Sequence, residues 1–162
     1  SIFSSISQTN EDVPLNNIAI NEIPKPISSL IFEDFSGNEI NLNNYHGRLV
    51  IINFWATWCA PCMKEMPSLD KLYQDNNFKN LQIFAVNMEQ SNTLKTKKFF
   101  TDLNIQKLEI FFDPNLNFVK EFKLRGMPTT VLINKKGEEF ARIIGETNFQ
   151  NKKFVKWLSK YD

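Results

Sequence analysis

Residues 49–54, Leu-Val-Ile-Ile-Asn-Phe, are apolar at every position but Asn53 and rich in β-branched side chains. That pattern suits a parallel strand covered on both faces. Residues 81–87 repeat it, and 108–112 give a shorter strand ended by Asp113-Pro114. Helical spacing marks 63–76, 93–103 and 116–122, with Pro67 inside the first of these, where its ring blocks a backbone hydrogen bond and is expected to kink the helix. Two hairpins are expected. One joins 31–35 to 39–42 across Ser36-Gly37-Asn38, and the other joins 129–133 to 139–144 across Asn134 to Gly137. Residues 148–161 close the chain as a helix with Phe154, Val155 and Leu158 inward. This order of elements predicts an α/β fold, a central mixed sheet flanked by helices. Residues 1–28 are polar and broken by Pro14, Pro24 and Pro26. They read as a flexible N-terminal arm or linker, which leaves 29–162 as one domain.

Composition narrows the class. A chain of 162 residues that is 42% hydrophobic, with 15 phenylalanines, can bury one sizeable core. A net charge of +1 gives no drive toward nucleic acid or an anionic membrane. No stretch approaches the ~20 apolar residues of a transmembrane helix. The chain begins Ser1-Ile2-Phe3 rather than with Met, and no basic and apolar leader follows. We read it as a mature form whose signal or membrane anchor lies outside this chain.

The chemistry concentrates in Trp58-Cys59-Ala60-Pro61-Cys62, which holds both cysteines of the protein. Two cysteines make no disulfide framework, but a Cys-x-x-Cys between a strand and a helix is the arrangement of thiol–disulfide exchange. Cys59 sits where free backbone N–H groups and the helix dipole stabilise a thiolate, so it is the expected nucleophile. Cys62, one turn in and more buried, is placed to resolve a mixed disulfide. Pro61 falls in the first turn, where its missing N–H costs nothing. A zinc site needs four ligands. With one histidine, His46 in an expected surface loop, and no second cysteine pair, no metal site is expected.

Residues 54–62, Phe-Trp-Ala-Thr-Trp-Cys-Ala-Pro-Cys, resemble the active-site signature of the thioredoxin superfamily. The continuation Met63-Lys64-Glu65-Met66-Pro67 is similar to the extracytoplasmic reductases of the TlpA and ResA type. Arg125-Gly126-Met127-Pro128-Thr129-Thr130 resembles that superfamily's second landmark, a cis-proline facing the cysteines. The resemblance spans about residues 31–157. It implies a thioredoxin fold with an N-terminal β-hairpin and an inserted helix–strand unit. It also implies that the Met127 backbone pairs with a substrate strand beside Cys59, within a surface shaped by Trp58, Ala60 and Pro61, while Trp55 belongs to the core.

Two further residues bear on proton handling. Cytoplasmic thioredoxins carry a buried Asp where this chain has Asn53, and an amide cannot titrate. Glu65, three residues after Cys62, stands where ResA-type members carry an acid, and could raise the cysteine pKa or accept a proton. The other reading of Glu65 is a solvated helix residue paired with a lysine. The neutral Ala60-Pro61 pair and Glu65 both oppose a highly stabilised thiolate, which favours a reductant. The expected activity is disulfide reduction in extracytoplasmic partner proteins, as in cytochrome c maturation or cytochrome oxidase copper-site assembly. It would work through the redox-active disulfide alone, as a periplasmic or otherwise extracytoplasmic monomer, anchored by an N-terminal segment outside this chain and fed by a membrane electron donor. The alternatives are a disulfide oxidase or isomerase, and a Cu(I)-binding chaperone using the soft thiolates.

Overall fold

The computed structural model describes residues 13–89 and 93–162. Among them, eight strands form one mixed sheet: β1 (Ile18–Pro26), β2 (Ile31–Asp34), β3 (Glu39–Asn41), β4 (Leu49–Trp55), β5 (Leu81–Asn87), β6 (Ile110–Phe112), β7 (Thr129–Ile133) and β8 (Glu138–Ile144). Their spatial order is β1-β8-β7-β4-β5-β6-β2-β3. The β4–β5 and β5–β6 pairs are parallel and the rest antiparallel. Four helices complete the fold: α1 (Ala60–Tyr73), α2 (Thr93–Asp102), α3 (Asn117–Phe122) and α4 (Lys152–Ser159). The thioredoxin-like architecture expected from the sequence is present, including the β2–β3 hairpin and the α2–β6 insertion.

Strand β4 organises the two faces. All seven of its residues are buried, and successive side chains alternate between two cores. Leu49, Ile51 and Trp55 join the core covered by α1, α2 and α4. Val50, Ile52 and Phe54 join the core covered by α3. Trp55 stacks on Phe99 and Phe100 of α2, with centroids 4.8 and 5.1 Å away. On the other face Phe32 packs edge-on against Phe84. Each fully buried large side chain contributes roughly 1.5–3 kcal/mol of burial free energy. The same alternation turns Asn53 toward α1, between Ile51 and Trp55.

The arm expected over residues 1–28 is corrected in part. Ile18–Pro26 is a sheet strand, paired antiparallel with β8 from Ile18↔Ile143 to Pro26↔Glu138. Asn17 Nδ2 donates to the Ile144 and Glu146 carbonyls, and Asn21 Nδ2 to that of Glu139. The strand escaped a pattern reading because it lies at the sheet edge, where prolines are tolerated. Its ladder is also irregular between Ile20 and Lys25, so no clean alternation survives. Residues 1–12 of the expected arm lie outside the described residues.

Element ends moved for identifiable reasons. α4 starts at Lys152 because Asn151 Oδ1 accepts the Phe154 N–H and caps the helix. In the β7–β8 turn, Gly137 has φ +79°, which favours glycine, and a Cβ there would displace the exposed His46 ring. Strand β6 starts at Ile110 because the N–H groups of Gln106, Lys107 and Leu108 turn instead to the buried Asp70 carboxylate, each at 2.9 Å. Asp70 thereby ties α1 to the inserted unit. Asp70→Asn replaces one acceptor oxygen with a donor and should cost about 2 kcal/mol, read as a lower midpoint in urea unfolding.

Candidate active site

The end of β4 delivers the redox pair. Cys59 is the N-cap of α1, with φ −91° and ψ 103°, and the Cys62 N–H points at its Sγ at 3.3 Å. The two sulfurs form a disulfide. Both cysteines are buried, Cys62 fully and Cys59 to 4% exposure. Around Cys59 the surface is apolar: Trp58 is 69% exposed, Met63 is exposed, and so are Ala60 and Pro61. α1 runs on through Pro67 to Tyr73.

The Met127–Pro128 peptide is cis. Thr129 of β7 pairs with Phe54 of β4. Extending that ladder by one residue brings Pro128 to the Trp55 end, from which the chain leads into Cys59. The loop is fixed on both sides: Thr129 Oγ1 donates to the Gly126 carbonyl at 2.7 Å, and Gly145 N–H to the Pro128 carbonyl at 2.9 Å. Among the described residues nothing pairs with the Met127 N–H or C=O, so this short edge is open to another strand.

Behind the cysteines, on the buried side of α1, lies a polar network. Glu65, one turn beyond Cys62, is only 1% exposed. This overturns the reading of a solvated, lysine-paired glutamate. Its Oε1 accepts from Asn53 Nδ2 at 2.8 Å and its Oε2 from the Thr147 N–H at 3.1 Å. Asn53 also donates to Thr130 Oγ1, its cross-strand neighbour, at 3.0 Å. Asn53 Oδ1 is buried without a hydrogen-bond partner among the described residues. Burial pushes the Glu65 carboxyl up to about 7, against the lowering by the Asn53 and Thr147 hydrogen bonds, with the nearby Glu146 charge adding to the rise. A carboxyl that titrates there can hold or release a proton at neutral pH.

A second carboxylate steadies the approach to Cys59. Glu89 accepts from both the N–H and the hydroxyl of Thr57, from Asn87 Nδ2 at 3.1 Å, and pairs with Lys95 at 3.9 Å. Burial raises the pKa of Glu89, but these donors outweigh it and the net direction is down, so it stays ionised. Glu89→Ala should release the Thr57-Trp58 turn and slow exchange about tenfold with little loss of stability, since the pair is partly exposed. Turnover and urea unfolding of the same variant check both halves. Thr130, Thr147 and Glu89 were not singled out by sequence. Thr130 had one signal, its place two residues after the cis-proline, and Thr147 and Glu89 had none.

Residues 23–138 match the AhpC/TSA family. The chain is 32% identical over 139 residues to the thiol-disulfide oxidoreductase ResA of Bacillus thuringiensis subsp. konkukian, covering 85% of this chain and 79% of that one. It is 36% identical over 110 residues to ResA of Halalkalibacterium halodurans, covering 68% of this chain and 61% of that relative's length. StoA from Bacillus subtilis superposes with a TM-score of 0.67 at 26% identity, over 82% of this chain and 99% of that one. A putative thiol:disulfide interchange protein DsbE from Chlorobium tepidum shares the fold, with a TM-score of 0.71 at 22% identity over 86% and 99% of the two chains.

Proposed function

The chain belongs to the AhpC/TSA family, as a thiol-disulfide oxidoreductase of the ResA type, and from that premise we propose that Cys59 and Cys62 work as a reductant of disulfides in extracytoplasmic proteins. The observation that carries the reducing direction is the buried Glu65, held one turn behind Cys62 by Asn53 and Thr147. A carboxylate there disfavours a second negative charge on the cysteines. The Ala60-Pro61 pair between them supplies no cation to offset it. A strong oxidant needs the opposite, a thiolate so stabilised that the dithiol is the preferred form.

The reaction balances in two exchanges. The Cys59 thiolate attacks one sulfur of a partner disulfide, forming a mixed disulfide and releasing one partner thiolate. Cys62 then loses its proton, attacks Cys59 Sγ and releases the second partner thiolate. The protein is left oxidised, as Cys59–Cys62, and the partner has gained two electrons. Glu65 takes the Cys62 proton in the second step. Trp58, Ala60 and Pro61 form the apolar platform, and the open Met127 edge before Pro128 aligns the partner chain beside Cys59. A membrane electron donor returns the pair to the dithiol. Apocytochrome c and copper-site proteins are the partner classes in this reading, and Thr129 after Pro128 leans toward the general TlpA type.

The test compares two assays on one preparation. The reduced protein should reduce insulin with a thiol as electron source, and should give little recovery of activity from scrambled, oxidised ribonuclease. Efficient unscrambling with poor insulin reduction would identify an isomerase instead. Stoichiometric Cu(I) binding without either activity would identify a metal carrier.

A further inference from the structure

The cis-proline loop borders a groove that the chemistry above does not use. Its volume is about 470 Å³, and its charged lining is Lys25, Lys123, Arg125 and Arg142 with the single carboxylate of Glu121. Gly126 and Thr129 also line it. They stand on either side of Met127-Pro128 in the chain, so the groove adjoins the cis-proline loop on the α3 face of the sheet.

The cations in this groove are not equivalent. Arg142 is held by both Glu139 oxygens, at 2.7 and 2.9 Å, and by the Phe122 carbonyl at 2.6 Å. Lys25, Lys123 and Arg125 are exposed and have no ion pair among the described residues. Three uncommitted cations face one carboxylate, in a chain whose net charge is only +1. Lys123 also holds a left-handed backbone, φ +51°, where glycine is the usual residue.

We propose that this groove receives an acidic segment of the partner protein, adjoining the disulfide under attack, so that charge selects the substrate. The proposal rests on the reductase reading for the presence of that disulfide. An acidic polypeptide segment is the fitting occupant because the exposed cations Lys25, Lys123 and Arg125 outnumber the one carboxylate of Glu121, and the groove adjoins the cis-proline loop, where a partner chain would lie. The three free cations supply complementarity of the rim type, which sets encounter and selectivity.

The probes are two cyclic disulfide peptides, identical except that one carries Asp-Asp-Glu beside a cysteine and the other Asn-Asn-Gln. The wild-type protein should show a KM about three- to tenfold lower for the acidic peptide at similar kcat. That preference should vanish in about 0.5 M salt and in the double variant Lys123→Gly with Arg125→Gln. Lys123→Gly also relieves the left-handed backbone, so the variant should keep its melting temperature and its rate on uncharged hydroxyethyl disulfide. Equal KM values in the wild type, or a preference that survives in the double variant, overturn the proposal. So does charge-blind turnover accompanied by variant-sensitive binding to phosphatidylglycerol vesicles. Fluorescence anisotropy of a labelled acidic peptide with serines in place of cysteines separates the two readings. Charge-dependent binding without reduction of either peptide keeps the groove and removes the reductase. Reduction of both with equal KM does the reverse, and neither binding nor reduction removes both.

Discussion

Cys59→Ser is expected to abolish disulfide exchange, by about a thousandfold or more, because removing the attacking nucleophile leaves no alternative chemistry. Cys62→Ser should behave differently. Cys59 can still attack, so the first exchange proceeds and the partner stays bound through a mixed disulfide that nothing intramolecular resolves. The asymmetry follows from the cap. Cys59 caps α1 directly after the exposed Trp58, while Cys62 is fully enclosed one turn into the helix. Intact mass spectrometry after mixing each variant with a disulfide substrate reads the difference. Adducts should accumulate on Cys62→Ser and be missing from Cys59→Ser. The opposite distribution would reverse the two roles.

Glu65→Gln should change both stability and rate, with opposite signs at neutral to alkaline pH. Burial raises the Glu65 carboxyl from its ordinary 4.5 to about 7 in the folded state. The folded protein therefore holds this proton more tightly than the unfolded chain does. The stability linked to the protonated form is fully present below pH ~4.5 and is lost as pH rises through ~7. A difference of that size corresponds to roughly 3 kcal/mol. Glutamine is neutral at every pH. It keeps the acceptor for Asn53 but gives up the one for the Thr147 N–H, which returns part of the gain. The variant should be about 1–2 kcal/mol more stable than wild type at pH 8, and near or below it at pH 4.5. Its exchange rate should fall about a hundredfold, within the range for loss of a general base, and lose its rise across pH 6–8. Parallel stability curves for the two proteins would show that Glu65 does not titrate in this window.

Some of this was legible in the sequence for physical reasons. The apolar run of β4, the Cys-x-x-Cys after it and the Arg125 to Thr130 segment each carry a local signature, and together they located both halves of the site. Asn53 could have led further. An amide inside a strand buried on both faces must find a hydrogen-bond partner, and Glu65 on the facing helix turn provides it. The default of a surface glutamate hid this pairing. Strand β1 was hidden because edge position relaxes the rules against proline, and β6 was overestimated because Asp70 takes its first N–H groups. Thr147 and Glu89 reach the site only when the chain closes, from turns with no periodicity of their own. Such contacts leave no trace in local pattern.

The reduction potential of the Cys59–Cys62 couple tests the central claim most directly. Equilibration with defined ratios of reduced and oxidised thiol, read by the change in Trp fluorescence or by alkylation, gives it without assuming a partner. A buried carboxylate behind Cys62 and a neutral Ala60-Pro61 pair predict a value below about −200 mV, on the reducing side with thioredoxin and the glutaredoxins. A value near about −120 mV, that of a strong disulfide-forming oxidant such as DsbA, would contradict the account.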